Sequence, residues 1–250
     1  MRHFVVLLGL SIALSAPAWG QAEQKAAPKA DIPRLANGKP NMQGYWQIQY
    51  MPNMALNKES EVPYTPLGKK LYVEHDAKDD PTSWCHYPGV PRIMSSPYPV
   101  QILQTPEYFI LAHEYMKLWR VIPTDHSPHP AETPSSFMGD STGWWEGDTF
   151  VIHTMALNDH TWLDTAGHQH SDQMQVTEKL RWAANGKDLE LEFTIEDPVM
   201  YAKPWTHKRT WRPLKPAEAP GLPMLLEYEC QENNKDLEHL MSLKPGADAK

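Results

Sequence analysis

Residues 157–170 read Leu-Asn-Asp-His-Thr-Trp-Leu-Asp-Thr-Ala-Gly-His-Gln-His, the densest group of reactive side chains in the chain. A histidine with an aspartate a few residues away is the minimum set for an oriented general base. Carboxylate contact fixes the imidazole tautomer and raises its basicity. Asp164 and His170 are the candidates for that role, with Trp162 as an apolar surface beside them. The competing reading is an Asx-rich turn in which Asn158, Asp159 and Asp164 cap their own backbone.

Two close histidine pairs, His126 with His129 and His168 with His170, raise a second chemistry. On extended backbone an HxH pair presents both rings on one side. Three His, or two His plus a carboxylate such as Glu178 or Asp164, would make a zinc-type catalytic set. A divalent transition metal on His126, His129, His168 and His170 is therefore an alternative, although no HExxH or CxxC spacing supports it. No other cofactor is expected, since glycine-rich phosphate loops and CxxCH haem attachment are absent from the sequence. Ser141 in Gly139-Asp140-Ser141-Thr142-Gly143 has GxSxG spacing, but a nucleophile elbow needs a strand–turn–helix context and a Trp-rich strand follows here.

The elements that must position these groups are strands. Alternation predicts strands over 100–104, 108–115 and 118–123, and a hairpin over 144–155 turning at Trp145-Glu146-Gly147-Asp148. Strands over 174–182 and 189–195 flank Asn185-Gly186, a strong hairpin signal, and another strand covers 205–211. A short helix is expected near 67–75, and a strand followed by a short helix over 227–240. The fold class that follows is mainly β, an antiparallel meander closing into a lipocalin-like barrel or a curved sheet.

Period two also says which polar groups point inward. Glu178 shares a face with Met174, Val176, Leu180 and Trp182, so a carboxylate is aimed at a core and needs a partner. Trp205, His207, Arg209 and Trp211 share a face, which makes Arg209 and His207 candidates for that partner and for holding a substrate. Glu114, on the Tyr108, Ile110 and Ala112 face, is a third inward acid, and Arg92 a further substrate contact. Glu178 and His129 join His170 and Asp164 as proton-handling candidates. A structural Glu–Arg pair inside a barrel is the competing reading for Glu178.

The chain has 250 residues with a net charge of −8, an acidic balance that argues against nucleic acid as a partner. Proline outnumbers glycine, 24 to 13, which disfavours a helical bundle. Residues 1–20 read as a cleavable export signal: Arg2, an apolar run from Phe4 to Ala16, then Ala18-Trp19-Gly20 with cleavage after Gly20. The expected mature protein is periplasmic or secreted and carries no membrane anchor. Residues 21–43 suggest a flexible arm leading to a single β-rich domain over 44–250. Within it, a proline-rich wrapping segment (44–99) precedes the meander (100–215) and a C-terminal segment (216–250). An isolated cysteine pair in an oxidising compartment favours a Cys85–Cys230 disulfide, with two buried free thiols as the alternative.

The segments PRLANGKPNMQGYW, CHYPGVPRIMSSPYPVQILQTPEY, GWWEGDTFVIHT, ALNDHTWLDTAGHQHSD, TIEDPVMYAKPW and EYECQENNKDLEH resemble a widespread family of exported bacterial hypothetical proteins. The resemblance spans nearly all of the mature chain and implies one intact domain with both cysteines as standing features. It carries no activity. Three functions fit the residues: an exported enzyme doing cofactor-independent acid–base chemistry (lyase, hydratase or isomerase) on a small apolar or aromatic molecule, a His-ligated metalloenzyme, and a non-catalytic periplasmic binding protein for hydrophobic small molecules.

Overall fold

The computed structural model describes residues 31–56, 58–215 and 225–232, with 234, 235, 238 and 241. The expected signal segment lies outside the described residues, and the expected C-terminal helix does so for the most part.

Nine strands make one antiparallel sheet: β1 (Gly44–Ile48), β2 (Val100–Gln104), β3 (Tyr108–His113), β4 (Trp119–Pro123), β5 (Asp140–Glu146), β6 (Thr149–Met155), β7 (Gln175–Trp182), β8 (Leu189–Glu196) and β9 (Trp205–Pro213). Their order is β4-β3-β2-β1-β9-β8-β7-β6-β5, and the sheet curls into a nearly closed barrel. The meander was legible, but β1 was not. GYWQI is short and lies in what reads as a wrapping segment, yet Trp46 and Ile48 alternate inward and the strand bridges β2 and β9. Residues 31–43 are likewise no free arm. Arg34 pairs with Asp148 at 2.9 Å, and the N–H of fully buried Met42 donates to Gln104 Oε1 at 2.6 Å. Residues 225–232 form no strand.

Register shows which side chains fill the barrel. Leu189, Leu191, Phe193 and Ile195 of β8 stand opposite Trp211, Arg209, His207 and Trp205 of β9, all on the inner face. On β3 the inner face is Phe109, Leu111 and His113; Tyr108 is 44% exposed. The expected Tyr108–Ile110–Ala112 face is therefore the outer one. Glu114 lies beyond the strand end, where its carboxylate accepts from Leu226 N–H at 2.7 Å.

Every neighbouring pair is antiparallel, so the two edges, β4 and β5, run in the same direction where the barrel closes. Here His126 N–H donates to Gly143 O at 3.0 Å and Thr142 Oγ1 to Ser127 O at 2.8 Å. A Cβ on Gly143 would fall 2.5 Å from Phe150 Cζ and 3.0 Å from Ile122 Cγ2, so the seam closes on a residue without a side chain. Inside, Arg120 of β4 reaches across to Glu178 of β7 in a two-pronged pair (3.0 and 2.5 Å). Arg120 Nη2 also donates to Ser141 Oγ on β5 and Thr154 Oγ1 on β6 (3.2 and 3.1 Å). Glu178 thus has its cation, but it is Arg120, not Arg209. Ser141 belongs to this network within a strand, away from any elbow.

Most connections longer than a tight turn gather at one end, while residues 124–139 run from one end of the barrel to the other. By strand direction, residues 49–99, 114–118, 156–174 and 197–204 all lie at the end where β9 begins, and the tight turns at the other. The helix α1 (Pro66–Glu74) sits at that loop-rich end. Thr65 caps it by accepting from Gly68 N–H, and Pro66 opens it. Cys85 and Cys230 form a disulfide that ties the wrapping segment to the C-terminal one. Among the described residues no helix is long and apolar enough to cross a membrane.

Breaking one side of the Arg120–Glu178 pair leaves a buried charge alone, which costs about 3–5 kcal/mol, whereas replacing both with apolar groups is often close to neutral. Arg120→Met should therefore unfold at far lower urea concentration than the parent, and Arg120→Met/Glu178→Leu should recover most of the loss. A double variant less stable than the single one would contradict this.

Candidate functional site

At the loop-rich end the chain buries an Asp–His pair. Asp164 and His168 are 2% and 0% exposed, and His168 Nδ1–H donates to Asp164 Oδ2 at 2.7 Å. Asp164 also accepts from the backbone N–H of Met54 (2.6 Å), Ala166 (3.0 Å) and His168 (3.2 Å). Four donors converge on one carboxylate, so the Asx-turn reading and the oriented-base reading hold together: the same oxygens shape the loop and hold the imidazole. The Nδ1 of His168 carries the proton given to Asp164, and among the described residues its other ring nitrogen, Nε2, has no hydrogen-bond partner.

Aromatic rings enclose His168. Tyr64 lies parallel to it with centroids 5.9 Å apart, Tyr72 of α1 is at 4.6 Å and Trp205 of β9 at 5.9 Å. α1 is held close over this region because a Cβ on Gly68 would lie 2.2 Å from Met200 O. His75, following α1, packs its ring edge against Trp162 at 5.6 Å.

On the barrel side, Met54 joins the Asp–His pair to β9. Its N–H goes to Asp164 and its carbonyl accepts from His207. His207 is pushed down to about 4, first by burial and then by the neighbouring Arg209 charge. Arg209, 4% exposed, is pushed down to about 9 by burial, with the Asp164 charge opposing, so it stays a cation at neutral pH. Its Nη1 donates to Lys208 O at 3.1 Å, while Nε and Nη2 have no partner among the described residues. Trp205 Nε1 and His207 Nε2 are also buried without partners. Buried polar atoms in native proteins are nearly always satisfied, so a group of orphans in one place points to a bound molecule or water. Arg209 lines a cleft of about 500 Å³ in which Met51 and Leu191 meet the charged side chains of Arg181, Glu190, Glu192 and Lys208, opening where β1 ends and leaves β9 uncovered.

The other candidates are placed elsewhere. His170, the leading candidate base, has both nitrogens engaged: Nδ1–H donates to Ser171 O at 3.0 Å, and Nε2 accepts from Thr161 at 2.6 Å. Burial lowers its pKa, and the neutral ring pins the loop. Arg92 is spent on Asp80, in two bonds of 2.8 and 2.7 Å, and on Thr82. His129 lies on the outer wall, where it binds Asp140 Oδ2 (2.5 Å) and stands 2.8 Å from His153 Nδ1. His126 stacks on Trp144 at 4.0 Å. The four histidines of the metal reading thus fall into clusters with different partners, and among the described residues no three His, Cys, Asp or Glu side chains come together to hold an ion.

His113, inside the barrel, is likewise held neutral, pushed down to about 3 by burial and by Arg120. In the unfolded chain these histidines titrate near 6.5, so between that value and the folded ones the unfolded state binds more protons. Stability should fall as pH drops below about 6.5, by about 1.4 kcal/mol per pH unit for each such histidine. Urea unfolding between pH 7 and 5 checks this: His207→Asn should reduce the slope by about one proton, and an unchanged slope would contradict the assignment.

No model of a known protein family matches this chain, and no curated protein sequence matches it either.

Proposed function

We propose that the protein is an exported enzyme that performs acid–base chemistry on a small, largely apolar or aromatic molecule at the loop-rich end of its barrel, of lyase, hydratase or isomerase type. The observation that carries this is the buried pair Asp164–His168: a carboxylate fixes the tautomer, and the opposite nitrogen is a free acceptor walled by Tyr64, Tyr72 and Trp205. That is the geometry of a general base rather than of a satisfied core histidine. In this reading His168 removes a proton from a carbon next to an electron-withdrawing group, Asp164 stabilises the imidazolium, and His168 returns the proton at the same or a neighbouring atom. The aromatic walls exclude water and favour a flat substrate. The disulfide and the signal-like N-terminus support export to the periplasm.

His168→Asn tests the role, because the Asn side-chain N–H replaces Nδ1–H toward Asp164 while the Nε2 base is gone. Mature protein in D₂O with a panel of aromatic carbonyl compounds should catalyse C–H exchange or turnover seen by NMR, and the variant should lose about 10²–10⁴ of the rate. Binding of panel members without exchange or turnover would replace this reading with that of a non-catalytic binding protein; equal rates in the variant would remove His168 as the base.

A further inference from the structure

Arg209 is a buried cation that forms no ion pair among the described residues. Asp164 is near enough for its charge to oppose the drop in the Arg209 pKa, yet its oxygens are engaged by three backbone N–H groups and His168. The charged residues that share its cleft pair with one another, Arg181 with Glu190 and Lys208 with Glu192, each at 2.8 Å; on the inner side His207 is neutral, and Phe193 offers its ring face 6.0 Å from the guanidinium carbon. A buried charge without a partner is unfavourable, and an anionic guest would relieve that.

The free edge is specific. Nη1 is committed to Lys208 O, so Nε and Nη2 are left as two donors side by side. This pair matches the two oxygens of a planar carboxylate in a fork. Trp205 Nε1–H is a further donor without a partner among the described residues on the same inner face of β9. Arg209 also forms part of the lining of the cleft that opens beside β1, and Leu191 and Met51 supply apolar surface there. We infer that Arg209 is the anchor for a carboxylate on a small molecule with an apolar body, entering through this cleft. The inference rests on the acid–base reading for its link to His168, which runs through Asp164, the carboxylate that binds His168 and acts by charge on Arg209, and it names the substrate class: small, flat organic carboxylates. A carboxylate held there would also acidify no group of its own accord; its part is to orient the molecule, leaving proton transfer to His168.

Calorimetric titration with benzoate, benzamide and inorganic phosphate tests it on the mature protein. Benzoate should bind about tenfold or more tighter than benzamide, which has the same shape without the charge, and tighter than phosphate, which lacks the planar fork. In Arg209→Gln the preference for benzoate should vanish, and Arg209→Lys, which keeps the charge without the fork, should regain little of it. Thermal unfolding of each variant reports whether it folds, and benzoate should raise the melting temperature of the parent but not of the Arg209 variants. His168→Asn should bind benzoate as the parent does, so loss of turnover with retained binding separates the base from the anchor. Equal affinity for benzoate and benzamide, or a preference that survives in Arg209→Gln, would overturn the inference. Phosphate bound as tightly as benzoate would overturn the carboxylate class.

Discussion

The barrel depends on one buried ion pair. The strand order brings β4 and β5 together as parallel edges, so the ladder that joins every other neighbour does not extend across them. Arg120 spans the gap. Its guanidinium takes both oxygens of Glu178 on β7 and touches Ser141 and Thr154 on β5 and β6. Gly143 lets the edges approach, and the pair holds them there. The interaction adds little stability against an apolar replacement, but it specifies which strands meet, a role for which buried charges are well suited.

Closure at that seam sets the shape of the loop-rich end. The wrapping segment and the 156–174 loop interlock there through Met54, whose backbone gives its N–H to Asp164 and its carbonyl to His207. Asp164 therefore does two jobs with one carboxylate, shaping its loop and orienting His168. Two arginines face the barrel interior and differ in kind: Arg120 has a carboxylate and Arg209, among the described residues, has none. The first is a strut, and the second is the residue whose chemistry is incomplete within the protein.

Period-two alternation made most of the strands readable, together with the inward aim of Glu178, His207 and Arg209. It missed β1, because five residues are too few for a pattern when prolines follow closely. On β3 the face was misread, since Tyr108 and Ile110 are as apolar as Phe109 and Leu111 and a strand with two apolar faces gives no phase. The partner of Glu178 was within reach: Leu118, Arg120 and Ile122 alternate, and Arg120 is the polar member of an apolar face. The exchange of His170 for His168 was not. Two histidines two residues apart carry the same local signal, and only the fold shows that Thr161 and Ser171 use up one ring while Asp164 leaves the other with a free nitrogen.

The central claim is that His168 holds its proton on Nδ1 and offers an unshared lone pair on Nε2. Long-range ¹H–¹⁵N correlation on protein labelled in histidine nitrogen reads this directly at neutral pH. The account predicts a neutral ring with a protonated Nδ1 and a pyridine-like Nε2 shift, and movement of that shift when benzoate enters. A ring protonated on Nε2, or on both nitrogens, would contradict it.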